Sequence, residues 1–98
     1  MIEHTVCFTL VHAEGSDEER GFLERATTTL TSIPVVTGFT IRRQVSPKSD
    51  YRFQFRMMFA DSAAYDAYNR DPAHVRFVEE HWTTEVRSFE ELDFVPWD

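Results

Sequence analysis

The stretch from Tyr51 to Ala60 constrains the fold of this chain most. Tyr51, Phe53, Phe55, Met57 and Phe59 alternate with Arg52, Gln54, Arg56 and Met58. Side chains on a strand point to opposite faces with a period of two, so the pattern predicts a strand over 51–60 with one aromatic and one largely polar face. An aromatic face of that size has to be covered by other parts of the chain.

The rest of the sequence supplies candidates. Residues 3–11 also alternate, with His4, Val6, Phe8 and Leu10 on one side and Thr5, Cys7, Thr9 and Val11 on the other. Residues 36–45 predict a further strand, with Phe39, Ile41 and Val45 sharing a face. Ser16-Asp17-Glu18-Glu19 reads as a capping box opening a helix that buries Phe22, Leu23, Ala26, Leu30 and Ile33. Thr27, Thr28 and Thr29 are weak helix formers in its middle, and Pro34 stops it. Ser46-Pro47-Lys48-Ser49-Asp50 is a turn. Asp61 or Ser62 caps a short helix through Asn69, and Pro72 falls in the first turn of the next. That helix is expected to reach about Ser88 and to bury Val75, Val78, Trp82, Val86 and Phe89. A last strand follows over roughly 90–95, with Leu92 and Phe94 inward. Glu91 and Asp93 are then expected on the opposite face, with Arg42, Gln44, Arg52, Gln54, Arg56, Thr5, Cys7 and Thr9.

The order strand, helix, strand, strand, helix, strand predicts an α+β, ferredoxin-like βαββαβ domain over residues 1–98. Its four-stranded antiparallel sheet carries helices on one face. At 98 residues the chain supports one small core, yet it contains nine phenylalanines and two tryptophans. So much apolar surface leans toward a partner subunit or an apolar ligand pocket. The net charge of −7 argues against nucleic-acid or anionic-membrane binding. No apolar run approaches the roughly 20 residues of a membrane span. Cys7 has no partner for an internal disulfide, and Met1-Ile2-Glu3-His4 does not read as a signal peptide, so a cytoplasmic protein is expected.

One constellation carries chemistry. His74 falls in the first turn of a helix, where the backbone dipole favours the neutral imidazole. Tyr68 lies on the preceding helix, so the turn at Asp71-Pro72 brings a phenol and an imidazole near one another. His74 and His81 are separated by a rise of about 10.5 Å along a helix, too far to share an ion, and His12 has no spaced partner. No metal site and no cofactor are expected.

His4-Thr5-Val6-Cys7-Phe8-Thr9-Leu10, Ile33-Pro34, Val45-Ser46-Pro47 and above all Asp71-Pro72-Ala73-His74-Val75-Arg76-Phe77-Val78 resemble the stress-responsive A/B barrel domain (Dabb) family. The resemblance spans essentially the whole chain. It implies a homodimer joined through the sheet faces into an α/β barrel with the helices outside. One characterised member is a plant polyketide cyclase, olivetolic acid cyclase, which closes a linear polyketide by intramolecular aldol condensation. Its catalytic histidine, its catalytic tyrosine and a histidine opening its first strand match His74, Tyr68 and His4. A pocket for a small hydrophobic ligand is expected between the sheet's aromatic face and the helices, lined by Phe8, Phe53, Phe55, Trp82, Tyr68 and His74. The alternative is a cofactor-free cyclase-like enzyme, with His74 as general base and Tyr68 as hydrogen-bond donor. A cavity of roughly 300 Å³ or more, with both polar groups aimed into it, would favour either over a structural role for His74.

Overall fold

The computed structural model describes residues 1–98. Four strands, β1 (Ile2–Leu10), β2 (Thr37–Arg43), β3 (Phe53–Phe59) and β4 (Val86–Phe94), form one antiparallel sheet in the order β2-β3-β1-β4. Three helical segments cover one face: α1 (Asp17–Thr31), α2 (Ser62–Arg70), and a composite of α3 (Pro72–Phe77), a π-helical turn (Val78–Trp82) and α4 (Thr83–Glu85). This is the expected ferredoxin-like plan.

The helices begin where side chains can satisfy their free N–H groups. Ser16 Oγ accepts from Glu19 N (3.1 Å), and the Glu19 carboxylate accepts from Gly15 N (3.0 Å). Asp61 accepts from Ala64 N (2.9 Å), so Asp61 rather than Ser62 is the cap; Asp71 accepts from Ala73 N (2.8 Å), with Pro72 at the first helical position. The threonines of α1 are accommodated by bonding back along the helix: Thr27 donates to Leu23 O (2.9 Å) and Thr31 to Thr27 O (2.6 Å). We expect Ser16→Ala to cost about 1 kcal/mol in urea unfolding, because it strands a helix-terminal N–H.

The core lies between sheet and helices. Phe8, Phe53, Phe55, Met57 and Phe59 meet Phe22, Ala26, Leu30, Tyr68 and Phe77 there. Tyr51 and Ala60 fall outside β3, and Val45 is fully open (83% exposed), because β2–β3 pairing stops at Arg43 and Phe53. Arg52 also departs from its expected face. Its guanidinium pairs with Glu14 (3.1 Å) and Glu19 (3.4 Å) at the start of α1.

Two expectations for the C-terminal third are corrected. The helix ends at Glu85, and Val86 and Phe89 belong to β4, where they pair with Leu10 and Phe8. Within the helix, Val75 is exposed and Phe77 is buried. The π-helical turn inserts an extra residue, so Phe77 and Trp82, five apart, both reach the core. The second correction concerns the facing of β4. Val6 lies opposite Glu91 and His4 opposite Asp93, so these two acids face the helices. Leu92 pairs with Thr5 and Phe94 with Glu3, which places both on the outer sheet face, each about half exposed. The outer face is completed by Cys7, Gln54, Arg56, Met58, Thr40 and Arg42, and the Arg56 guanidinium pairs with Glu3 across it.

Candidate functional site

The β1 parity that buries Val6 and Phe8 also points His4 beneath the helices, where it is 5% exposed. Tyr68 is carried there by the inner face of α2 and is 3% exposed. His74 arrives from the first turn of α3, immediately after the Asp71-Pro72 corner. All three line one cavity of about 250 Å³, with Phe55, Met57, Phe77 and Trp82 among its apolar walls and Asn69 and Glu91 as further polar members. The volume falls somewhat short of the roughly 300 Å³ set as favouring binding or catalysis over a structural role, and it matches a guest of single-ring size. Phe8 and Phe53 do not reach it. Phe8 lies one layer deeper, its ring 5.2 Å from that of Trp82, and Phe53 sits at the far end of the sheet beneath Arg43 and Arg52.

The rings of Tyr68 and His74 are 4.1 Å apart at 39°, and the His4 ring lies 5.9 Å from that of Tyr68. Burial pushes the Tyr68 phenol up, and the nearby Glu91 carboxylate adds to this, so its hydroxyl stays a proton donor. His74 is held below the ordinary histidine value of 6.5, first by burial and then by the charge of His4, against a weaker opposing pull from the Asn69 backbone and Asp71. It is therefore a neutral imidazole at neutral pH. Its Nδ1 is one of two buried side-chain polar atoms without a hydrogen bond, the other being Thr40 Oγ1 on the outer face.

The depressed histidine has a consequence for stability. Below 6.5 the unfolded chain takes up a proton at this position that the fold still refuses. The contribution of His74 is thus complete above the ordinary value and is lost as pH falls through its folded value. An NMR titration should find the His74 ring titrating below 6.5, with unfolding made easier over the same descending range.

His4 is tied by groups that sequence analysis did not single out. Its Nδ1 is 2.5 Å from Asp93 Oδ1, and Tyr65 Oη, 3.1 Å from the same nitrogen, donates to Asp93 Oδ2 (2.8 Å). Tyr65 was legible as a helical neighbour of Tyr68, three residues earlier on the same face. Asp93 carried no such signal, because the facing of β4 is set by pairing. The remaining candidates lie apart. Cys7 is half-buried on the outer face, where burial and then Glu90 raise its thiol, leaving it protonated. His12 is held by an ion pair and not in a metal-ligand cluster: its Nε2 is 2.7 Å from Glu85, which also takes Arg25 (3.0 Å) and His81 (3.2 Å). Burial raises the Glu85 carboxyl, but these three partners outweigh it and hold it below the usual range. No group of three or more His, Cys, Asp or Glu side chains is arranged to hold a metal ion. No helix is long and apolar enough to cross a membrane.

Residues 2–96 match the Stress responsive A/B Barrel Domain. Among solved structures, a Dabb family protein with a ferredoxin-like fold from Mesorhizobium loti is 52% identical, with TM-score 0.98 over 99% of this chain and 97% of that one. The hydroxynitrile lyase of Passiflora edulis is 12% identical with TM-score 0.82, over 99% and 94%. A dimeric ferredoxin-like protein of unknown function from Thermobifida fusca is 14% identical with TM-score 0.78, over 97% and 90%. The likeness to the last two is one of fold. Among curated proteins none matches the chain.

Proposed function

This chain belongs to the stress-responsive A/B barrel domain family, and on that footing we propose that it binds a small, mostly apolar molecule bearing a carbonyl group in the cavity between sheet and helices. The observation that carries this reading is the cavity itself. Its walls are chiefly hydrophobic, and a phenol donor and a neutral imidazole face each other within it at 4.1 Å. A buried nitrogen without a partner and a hydroxyl kept protonated suit a ligand with one or two polar atoms.

The same pair supports a second reading, a cofactor-free reaction of the cyclase type. A neutral His74 has the protonation state of a base that removes a proton next to a carbonyl, and Tyr68, its ring 4.1 Å away, would bond the enolate oxygen that forms. We also propose that two copies pair through their outer sheet faces. Leu92 and Phe94, half exposed beside Thr5 and Glu3, support that arrangement, as does the dimeric Thermobifida fusca protein of the same fold.

Acetophenone is a suitable probe: one ring, one carbonyl and an acidic methyl group. It should raise the thermal midpoint of the native protein, and His74→Ala should bind it about tenfold more weakly through loss of a buried polar contact. Equal stabilisation of both proteins would count against His74 as a ligand contact. Deuterium uptake from heavy water into the acetophenone methyl, abolished in His74→Ala, separates the catalytic reading from simple binding.

A further inference from the structure

His4 and His74 share a cavity but have unlike surroundings. A carboxylate only accepts hydrogen bonds, so the 2.5 Å contact with Asp93 Oδ1 places the His4 proton on Nδ1 and leaves Nε2 for other partners. Tyr65 keeps Asp93 in place by donating to Oδ2 (2.8 Å), and its own ring is fixed by stacking on Phe59 at 5.1 Å and 21°. The charged group nearest Nε2 is Glu91 Oε2 at 4.0 Å, beyond a hydrogen bond, and both residues line the cavity. His74 has no carboxylate contact, and its Nδ1 is unpartnered. A base carries positive charge once it has accepted a proton, and of the two histidines His4 is the one with a carboxylate in direct contact to offset it.

We infer that His4, backed by Asp93, is the proton-accepting end of the cavity, and that the ligand it selects carries an acidic hydroxyl (a phenol or an enol) on its apolar body. This rests on the binding reading above and narrows the ligand class. In the step, the ligand O–H bond breaks and its electron pair stays on oxygen. The proton passes to Nε2 of His4, and the positive ring that results is offset by Asp93 at Nδ1. Tyr68 and His74, whose rings are 4.1 Å apart, are left to meet the carbonyl end of the same molecule. Asp93 and Tyr65 touch His4 and not the ligand, so they are positioning residues.

The matched pair 4-hydroxyacetophenone and acetophenone tests this. The two differ by one hydroxyl, and the phenol's absorption band moves to longer wavelength when it ionises. At a pH where free 4-hydroxyacetophenone is neutral, the compound bound to the native protein should show the ionised band. Asp93→Asn should bind it about tenfold more weakly and in the neutral form, a loss clearly larger than its loss of affinity for acetophenone. Tyr65→Phe, which leaves the carboxylate in place but less well held, should show a smaller loss of the ionised band. A neutral spectrum in the native protein would overturn the inference without reference to any variant, and so would an ionised band that survives Asp93→Asn. If acetophenone still binds in either case, the cavity reading stands and only the assignment to His4 fails. If neither compound binds the native protein, both are refuted.

Discussion

Phe8→Ala is expected to destabilise the fold by about 4 kcal/mol, the midrange for removing a fully buried phenylalanine. Phe8 has no solvent exposure. Its ring lies 4.6 Å from Phe55, 5.2 Å from Trp82, 5.8 Å from Phe53 and 5.9 Å from Phe22. These neighbours come from three separate elements, β3, α1 and the composite helix, and each is held by its own contacts, so the hole left by the ring cannot close by local collapse. The loss is a large share of the roughly 5–15 kcal/mol that holds a domain of this kind together. Trp82 rests on Phe8 and also lines the cavity, so the variant should weaken ligand binding as well. Phe8→Leu keeps most of the volume and should cost about 1 kcal/mol. Denaturant unfolding at one fixed protein concentration measures both. A cost for Phe8→Ala no greater than that for Phe8→Leu would mean that the aromatic cluster is not the centre of the core.

The second large effect is on assembly. Leu92→Lys combined with Phe94→Lys should turn a dimer into a monomer of 11.5 kDa in sedimentation equilibrium. Both side chains stand about half exposed on the outer sheet face. In a sheet-to-sheet dimer they would lose water and pack against the partner, where an aromatic anchor typically contributes at least about 2 kcal/mol. Replacing both with ammonium groups also adds like charge across a two-fold interface, so the dissociation constant should rise by about a thousandfold or more. The cavity lies on the opposite side of the sheet, so the monomeric variant should still be folded. A native protein that sediments as a single 11.5 kDa species would contradict the proposed pairing.

The fold was readable because its alternation and caps are strong. Phe53 to Phe59 announces a strand, Ser16 to Glu19 a helix start, and Pro72 a corner. The facing of β4 was not readable. Alternation tells which of Glu91, Leu92, Asp93 and Phe94 share a side, but not which side is inward; assigning the apolar pair to the core was the natural choice and the wrong one. Pairing with β1 decides it, and His4, buried opposite Asp93, has a carboxylate partner only in the register observed. The helix limit was misjudged for a related reason. Val86 and Phe89 continue the apolar stripe of the preceding helix, and nothing local marks the π-helical turn that shifts the stripe or the pairing with Leu10 and Phe8 that claims them for the sheet. For the site, the spacing of Tyr68 and His74 around a proline corner was visible. The network behind His4 was hidden, since Tyr65 and Asp93 meet only through tertiary structure.

The position of a bound ligand decides whether the cavity is a binding site. An NMR titration of the native protein with acetophenone, read at methyl groups and imidazole rings, resolves the inner and outer faces of the sheet separately. Shifts are expected at the Val6, Leu30, Met57 and Val78 methyls and at the His4 and His74 rings, with the methyls of Leu92 unmoved. Shifts centred on Leu92, or none at the two histidines at saturating acetophenone, would contradict binding in the cavity.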